Sequence, residues 1–359
     1  MMVYPRVLEG FNLDYQAYRI DRHGSGLINN TFRLTHLPGT AGQDYILQRI
    51  NTHVFRNPHV LVRNHRLAAD YLAKEHPGYF FLAPVAASDG QDLLEWDGEY
   101  WRMLPFVANT HTVNEAEDPK EAYEAARQFG RLARYLEAIP LGAFQPSIPN
   151  FHNLTLRYSD FQGAVNSAGE TRLEQAQDLI DSFERYSRIA IRYEELKTDP
   201  DFPDRLMHHD TKINNVLLDN QTSEGVCVVD LDTLMPGKLI SDLGDMVRTY
   251  VSPVSEEETD FSRIEIREPY YEALMKGYLG ELKESLTPTE QEVLFYAGQF
   301  MIYMQGIRFL TDYLNGDIYY PIQYPLHNFN RARNQLTLLE RLNEKEDRLR
   351  TIIDRYLQS

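Results

Sequence analysis

Residues 208–215 read His208-His209-Asp210-Thr211-Lys212-Ile213-Asn214-Asn215, and the apolar run Val226-Cys227-Val228-Val229 that follows ends in Asp230-Leu231-Asp232. The spacing His-x-Asp-x4-Asn puts a carboxylate and an amide oxygen in one loop, and a second carboxylate closes a short apolar strand. Phosphoryl transfer needs a carboxylate beside the attacking hydroxyl and oxygen ligands for Mg2+ on the phosphates. On this reading Asp210 is the catalytic base, Asn215 and Asp230 hold the metal, and Lys212 neutralises charge on the moving phosphate. Asp232 is open to two readings, contact with metal or substrate and a cap on the following turn. The bland alternative for the whole stretch is a polar turn between two strands. The second Asp, placed where a buried strand ends, weighs against it.

Working toward the N-terminus, the segment Gly24-Ser25-Gly26-Leu27-Ile28-Asn29-Asn30-Thr31 lies between strands expected at 18–20 and 30–34. Glycines let backbone N–H groups approach phosphates without a side chain in the way. Gly24, Ser25, Gly26, Asn30 and Thr31 are therefore candidate nucleotide contacts, although a kinase lid would carry a third glycine where Asn29 stands. A plain hairpin turn explains the same residues. A third strand is expected at 45–50, where Arg49 is the only cation in the place of a phosphate-gripping lysine. The helix expected at 58–73 has no evident glutamate to partner it. Strands are expected at 80–87, 92–96 and 100–107, the last two joined by the Asp97-Gly98 hairpin signal. The last strand would become the link to the rest of the chain and meet adenine. Pro105 has no N–H, so the donor there is Phe106 or Val107.

Working toward the C-terminus, Asp118-Pro119 is a helix start, with an acid at the cap and Pro at the first helical position. Further helical stretches are expected at 171–195 and over most of the chain beyond 265, ending in a charged helix at 330–357. Arg308 and Asp312 lie four apart on one helical face, and Gly316 marks a helix end followed by Asp317. A salt bridge without a binding role is the plain reading of that group. Asp242 and Asp245 read as helix-start acids that cap free N–H groups, one of them in a position to brace the 208–215 loop. A strand-rich first part and a helix-rich second part imply an α+β fold of two lobes, 1–107 and 108–359.

Composition narrows the partners. At 359 residues the chain is long for one core, and 43% hydrophobic with 25% charged residues is ordinary globular composition. A formal charge of −17 argues against nucleic acid or an anionic membrane, which need basic surfaces. One cysteine, Cys227, excludes a disulfide within the chain and suits a reducing, cytoplasmic setting. No run approaches the roughly 18 apolar residues that a membrane span needs.

The chain resembles the aminoglycoside phosphotransferase-like kinase superfamily. The segments that carry the likeness are 24–32, 45–51, 208–218, 228–237, Asp242-Leu243-Gly244-Asp245 and 308–317, spread over most of the sequence. Within the superfamily, the runs Asp210–Asn215 and Arg308–Asp317 are most similar to the N-acetylhexosamine 1-kinases. The resemblance implies a protein-kinase-like fold with a small β-rich lobe and a large helical lobe. It implies transfer from ATP, with Mg2+, to the anomeric hydroxyl of N-acetylglucosamine or N-acetylgalactosamine. It makes Arg308, Asp312, Asp317 and Asp232 candidates for sugar recognition. Arg49 in place of lysine is a departure from the superfamily pattern. Two other readings stand beside it: a phosphotransferase for an aminoglycoside or other small amine, and a catalytically silent nucleotide-binding protein. The latter has no chemical need for Asp210, Asn215 and Asp230 together.

Overall fold

The computed structural model describes residues 3–24, 28–39 and 42–358. Alternation of side chains along strands dictates how the first part is built. A helix α1 (Val3–Gly10) precedes strands β1 (Tyr18–Arg22), β2 (Asn30–His36) and β3 (Tyr45–Arg49); helix α2 (Pro58–Glu75) follows, then β4 (Leu94–Trp96) and β5 (Glu99–Pro105). The strands form one antiparallel sheet in the order β1-β2-β3-β5-β4. Leu34, Leu47, Trp101 and Met103 share one face and bury Val7, Leu8 and Phe11 of α1 and its C-terminal extension. Period-two geometry then puts Thr31, Gln48 and Arg102 on the opposite face, where register pairs Thr31 with Gln48 and Gln48 with Arg102. The expected strand at 80–87 is reduced to one bridge, Val85 to Met103. Pro84 has no N–H to donate, which stops a ladder from propagating.

The second part opens with β6 (Thr110–His111) and the helices α3 (Pro119–Tyr135), α4 (Leu154–Ser167), α5 (Glu170–Arg185) and α6 (Arg188–Lys197). Asp118 caps α3 by accepting from Lys120 N–H at 2.7 Å. Strands β7 (Arg205–Met207), β8 (Val216–Asp219), β9 (Gly225–Val228) and β10 (Met235–Gly237) lead into α7 (Ile240–Tyr250) and α8 (Glu268–Leu282), followed by α9 (Pro288–Glu292), α10 (Leu294–Leu314), α11 (His327–Glu344) and α12 (Glu346–Gln358). The core of this part centres on α10, most of whose 21 residues are buried. The stretch expected as one helix at 171–195 is two, α5 and α6, and that at 330–357 is α11 and α12. Neither break carries Gly or Pro, so charge pattern alone could not reveal it. Among the described residues no helix is long and apolar enough to cross a membrane.

Two short pairings position the motif. Strands β7 and β10 pair antiparallel, with Met207 opposite Met235. Strands β8 and β9 form a hairpin next to β6. The 208–215 loop and the 229–234 segment are thus each held at both ends. Helix α2 is committed to the second part: Asn64 donates to the carbonyls of Gln145 (2.7 Å) and Leu234 (3.0 Å). Ala68 and Leu72 of α2 join the larger core.

Candidate active site

The loop backbone is fixed by buried acids at the start of α7. Asp242 accepts from His208 N–H at 3.0 Å and His209 N–H at 2.7 Å, and Asp245 accepts from Thr211 N–H at 2.9 Å. Burial pushes the Asp242 carboxyl up to about 6, against the pull of His208 and these donors. Tyr250 donates to Thr211 O at 2.7 Å, and Thr233 to His208 O at 2.6 Å. This bracing leaves the Asp210 carboxylate partly exposed. Its ion-pair neighbour is Lys212, Nζ to Oδ1 at 3.6 Å. The Asp210 carboxylate raises the Lys212 ammonium above its usual value against the pull of burial, so Lys212 stays charged through neutral pH.

Asn215 donates its Nδ2 to Asp210 O at 2.8 Å. The atom it can offer a cation is therefore Oδ1. Asp230 follows β9 in the left-handed region, φ 57°, ψ 58°, and opens into the cleft. Crowding by protein atoms, then the carboxylates of Asp232 and Asp210, hold its carboxyl up at about 7; Arg102 and Lys212 pull the other way. A carboxylate disfavoured by its carboxylate neighbours is what a divalent cation relieves. Among the described residues no group of three or more His, Cys, Asp or Glu is arranged to hold a metal. Mg2+ bound through one or two protein oxygens, with phosphate oxygens and water completing its octahedron, needs no such cage. Asn215 and Asp230 fit that mode.

Several expected contacts lie elsewhere. Arg49 shares the α1-side face with Leu47, so it points away from Asp232. It pairs with Glu99 at 2.5 Å and, with the Asn30 amide oxygen turned toward it, donates to Asn30. Strand parity thus removes both Arg49 and Asn30 from the cleft face. A cation that does face the cleft is Arg102 of β5, 1% exposed, which the sequence reading missed. It donates to Gln48 Oε1 at 2.9 Å and ion-pairs with Asp232. Asn29, in the expected glycine position, donates to Asp232 Oδ2 at 2.6 Å and accepts from Asn51 N–H at 2.9 Å. Asp232 is therefore tied by two residues of the first part, and its expected role in substrate contact gives way to that tie. Thr31 faces the cleft and accepts from Gln48 Nε2 at 3.0 Å. Gly24 has φ +76° at the end of β1; Ser25 and Gly26 lie outside the described residues. Phe106 N–H is committed to Asp44 O at 3.0 Å, which passes the adenine-donor reading to Val107.

The Arg102–Asp232 pair is buried on both sides, so removing one partner strands the other. Arg102→Met is expected to cost roughly 3–5 kcal/mol of unfolding free energy. Adding Asp232→Asn in the same chain should recover more than half of it in a double-mutant cycle. Additive losses would show that the pair is not coupled.

A second cavity, of about 430 Å3, lies between α4, α10 and the 315–320 turn, and Arg157, Arg308, Thr311 and Tyr319 line it. Asp312 reaches it, but its carboxylate accepts from the N–H groups of Ile318, Tyr319 and Tyr320 at 2.8–3.0 Å and from Asn328. Asp317, with φ +60°, pairs with Arg172 at 2.7 Å and accepts from Asn328. Both acids thus build the turn instead of presenting free carboxylates. Arg308 stands over the rings of Phe151 and Tyr320 and donates to Gln305 Oε1 at 3.1 Å. Ring contacts connect this cavity with the loop: Arg308 stands over Phe151, Phe151 stacks on His152, and His152 packs edge to face against His209.

A two-lobed fold with an acid–amide–acid constellation in its cleft defines a kinase-like phosphotransferase. The chain belongs to the phosphotransferase enzyme family (APH), whose model matches residues 19–287. Among solved structures, a microcompartment-associated aminopropanol kinase aligns over 96% of this chain and 98% of its own, at 16% identity and TM-score 0.65. Spectinomycin phosphotransferase in complex with ADP and spectinomycin aligns over 96% and 97%, at 14% identity and TM-score 0.58. Choline kinase from Cryptosporidium parvum Iowa II aligns over 96% and 95%, at 16% identity and TM-score 0.56. At these identities the likeness is one of fold.

Proposed function

We propose that this phosphotransferase moves the γ-phosphoryl group of ATP to the anomeric hydroxyl of a neutral N-acetylhexosamine, with the lobes meeting at 107/108. Asp210 accepts the hydroxyl proton, and Lys212 balances charge beside it. Asn215 and Asp230 hold Mg2+, which when bound neutralises charge on the phosphate oxygens. Gly24, Thr31 and Val107 remain the nucleotide contacts, the last through its N–H.

One observation carries the choice of acceptor. The lining of the 430 Å3 cavity is richer in donors than in acids, and its two carboxylates, Asp160 and Asp312, both have partners. Arg157 Nε and Thr311 Oγ1 are buried without a hydrogen-bond partner, and Asp160 lies 3.6 Å from Arg157. Asp312 is spent on the turn. A cationic amino alcohol or aminoglycoside needs a free carboxylate, whereas sugar hydroxyls and an acetamide carbonyl need donors. The anomeric hydroxyl is also more acidic than an ordinary alcohol, because the ring oxygen withdraws electron density. It therefore suits a carboxylate base.

The test is 31P NMR of the product after incubation with Mg·ATP and a panel of N-acetylglucosamine, N-acetylgalactosamine, their methyl glycosides, choline and an aminoglycoside. An anomeric phosphate from the free sugars only is the expected result. Phosphorylation of a methyl glycoside, or preference for a cationic acceptor, would overturn the assignment and leave the family intact.

A further inference from the structure

His209, directly before Asp210, holds an unusual backbone position, φ +66°, that a non-glycine residue keeps only when its surroundings over-determine it. Its ring is the reason. Nε2 meets Met235 O at 3.1 Å, Nδ1 meets Ser241 Oγ at 2.7 Å, and the ring fills the space a Cβ on Gly237 would need. Any larger residue at 237 would collide with His209 Cε1 at 2.3 Å. Ser241 Oγ also meets His152 Nδ1. The two imidazoles pack edge to face at 5.4 Å, and His152 stacks on Phe151 at 4.3 Å, whose ring lies beneath the Arg308 guanidinium.

The hydrogen bonds of this group have one consistent direction. Met235 O can only accept, so His209 carries its proton on Nε2. His209 Nδ1 then accepts from the Ser241 hydroxyl, and Ser241 Oγ accepts from His152 Nδ1–H. Burial holds His209 down at about 4 and His152 well below its usual value, so both rings are neutral near pH 7, as this directionality requires.

We propose that His152, Ser241 and His209 form a positioning relay that holds the segment Phe151-His152, on which the cavity residue Arg308 rests, in fixed register with the Asp210 loop. The relay touches neither phosphate nor acceptor; it sets where the acceptor sits relative to the base. The proposal rests on the reading that Arg308 lines the acceptor cavity and Asp210 is the base. Without Ser241 Oγ both imidazoles lose their shared partner, and the loop and the segment beneath Arg308 become free to shift separately. Misplacement of the reacting atoms by about 1 Å is enough to cost on the order of a hundredfold in rate.

Ser241→Ala tests it, because it deletes the bridge while keeping nearly the same volume. Transfer to the acceptor found by NMR is expected to fall at least tenfold in kcat, with the ATP KM within twofold. Acceptor-independent ATP hydrolysis should be unchanged, so less product forms per ATP consumed. Imidazole 15N NMR of the wild-type protein, which needs no acceptor, should show an Nε2–H tautomer at His209 and an Nδ1–H tautomer at His152. Equal loss of transfer and hydrolysis would reduce Ser241 to a folding role and overturn the proposal. Either opposite tautomer would overturn it as well. Failure of every N-acetylhexosamine to react would strike the acceptor assignment instead, leaving the tautomer result to decide on the relay.

Discussion

Asp210→Asn is expected to lower kcat by about two to four orders of magnitude while leaving ATP affinity and fold intact, the loss a general base removed from a positioned site should cause. The structure explains why the effect should be confined to chemistry. The loop is braced by its backbone, through Asp242, Asp245, Thr233 and Tyr250, and none of these contacts uses the Asp210 carboxylate. Asn215 bonds the Asp210 carbonyl, which the substitution keeps. The ion pair that would be lost, to Lys212 at 3.6 Å, is half-exposed, and such pairs are worth about 1 kcal/mol or less. Steady-state turnover, ADP binding by calorimetry and a thermal melt together check the claim. Turnover within tenfold of the unaltered enzyme would remove Asp210 from the role of base.

What was legible in the sequence was what chemistry imposes locally. The order Asp210, Asn215, Asp230 needs only a loop and a strand end, and both are where the apolar run and the polar octet put them. The capped start of α3 and the Asp97-Gly98 hairpin follow from single residues, and Asp97 and Gly98 both have positive φ. What failed depended on which face of a strand is buried. Arg49 was singled out as the available cation in β3, yet Leu47, two residues earlier, is buried against α1 and takes Arg49 to the same side. The same logic could have found Arg102: between Trp101 and Met103, both buried, it alone points the other way. Asp312 and Asp317 were legible as a group but not in their task, because Asp312 satisfies the N–H groups of a turn and Asp317 is held by Arg172 of α5 and Asn328 of α11, partners that only tertiary packing brings together.

Asp230→Asn should separate stability from function. The proposed cation would lose its one fully charged protein ligand, so kcat/KM at saturating ATP is expected to fall by at least a hundredfold, with the midpoint of the Mg2+ titration moved up at least tenfold. In the absence of divalent cation the same substitution should stabilise the protein. The Asp230 carboxyl is held up at about 7 by crowding and by Asp232 and Asp210, from an unfolded value near 3.8. A carboxyl whose folded value is raised contributes nothing adverse below about pH 4. Its cost grows as pH rises toward 7 and is complete above it. At pH 8 the unliganded enzyme therefore carries a repulsion that Asn removes. Asn also tolerates the left-handed backbone at φ 57°, so no strain is added. Because Asp230 opens to the cleft, solvent screens most of the repulsion. The expected gain is correspondingly modest, a rise in Tm of roughly 1–3 °C at pH 8 in EDTA and none at pH 4. With Mg·ATP present the order should reverse, because only the unaltered enzyme gains from binding the cation. An unchanged Mg2+ titration with a raised sugar KM would reassign Asp230 to the acceptor. A Tm that falls at pH 8 without cation would mean that the carboxylate is held by partners stronger than the repulsion of its neighbours.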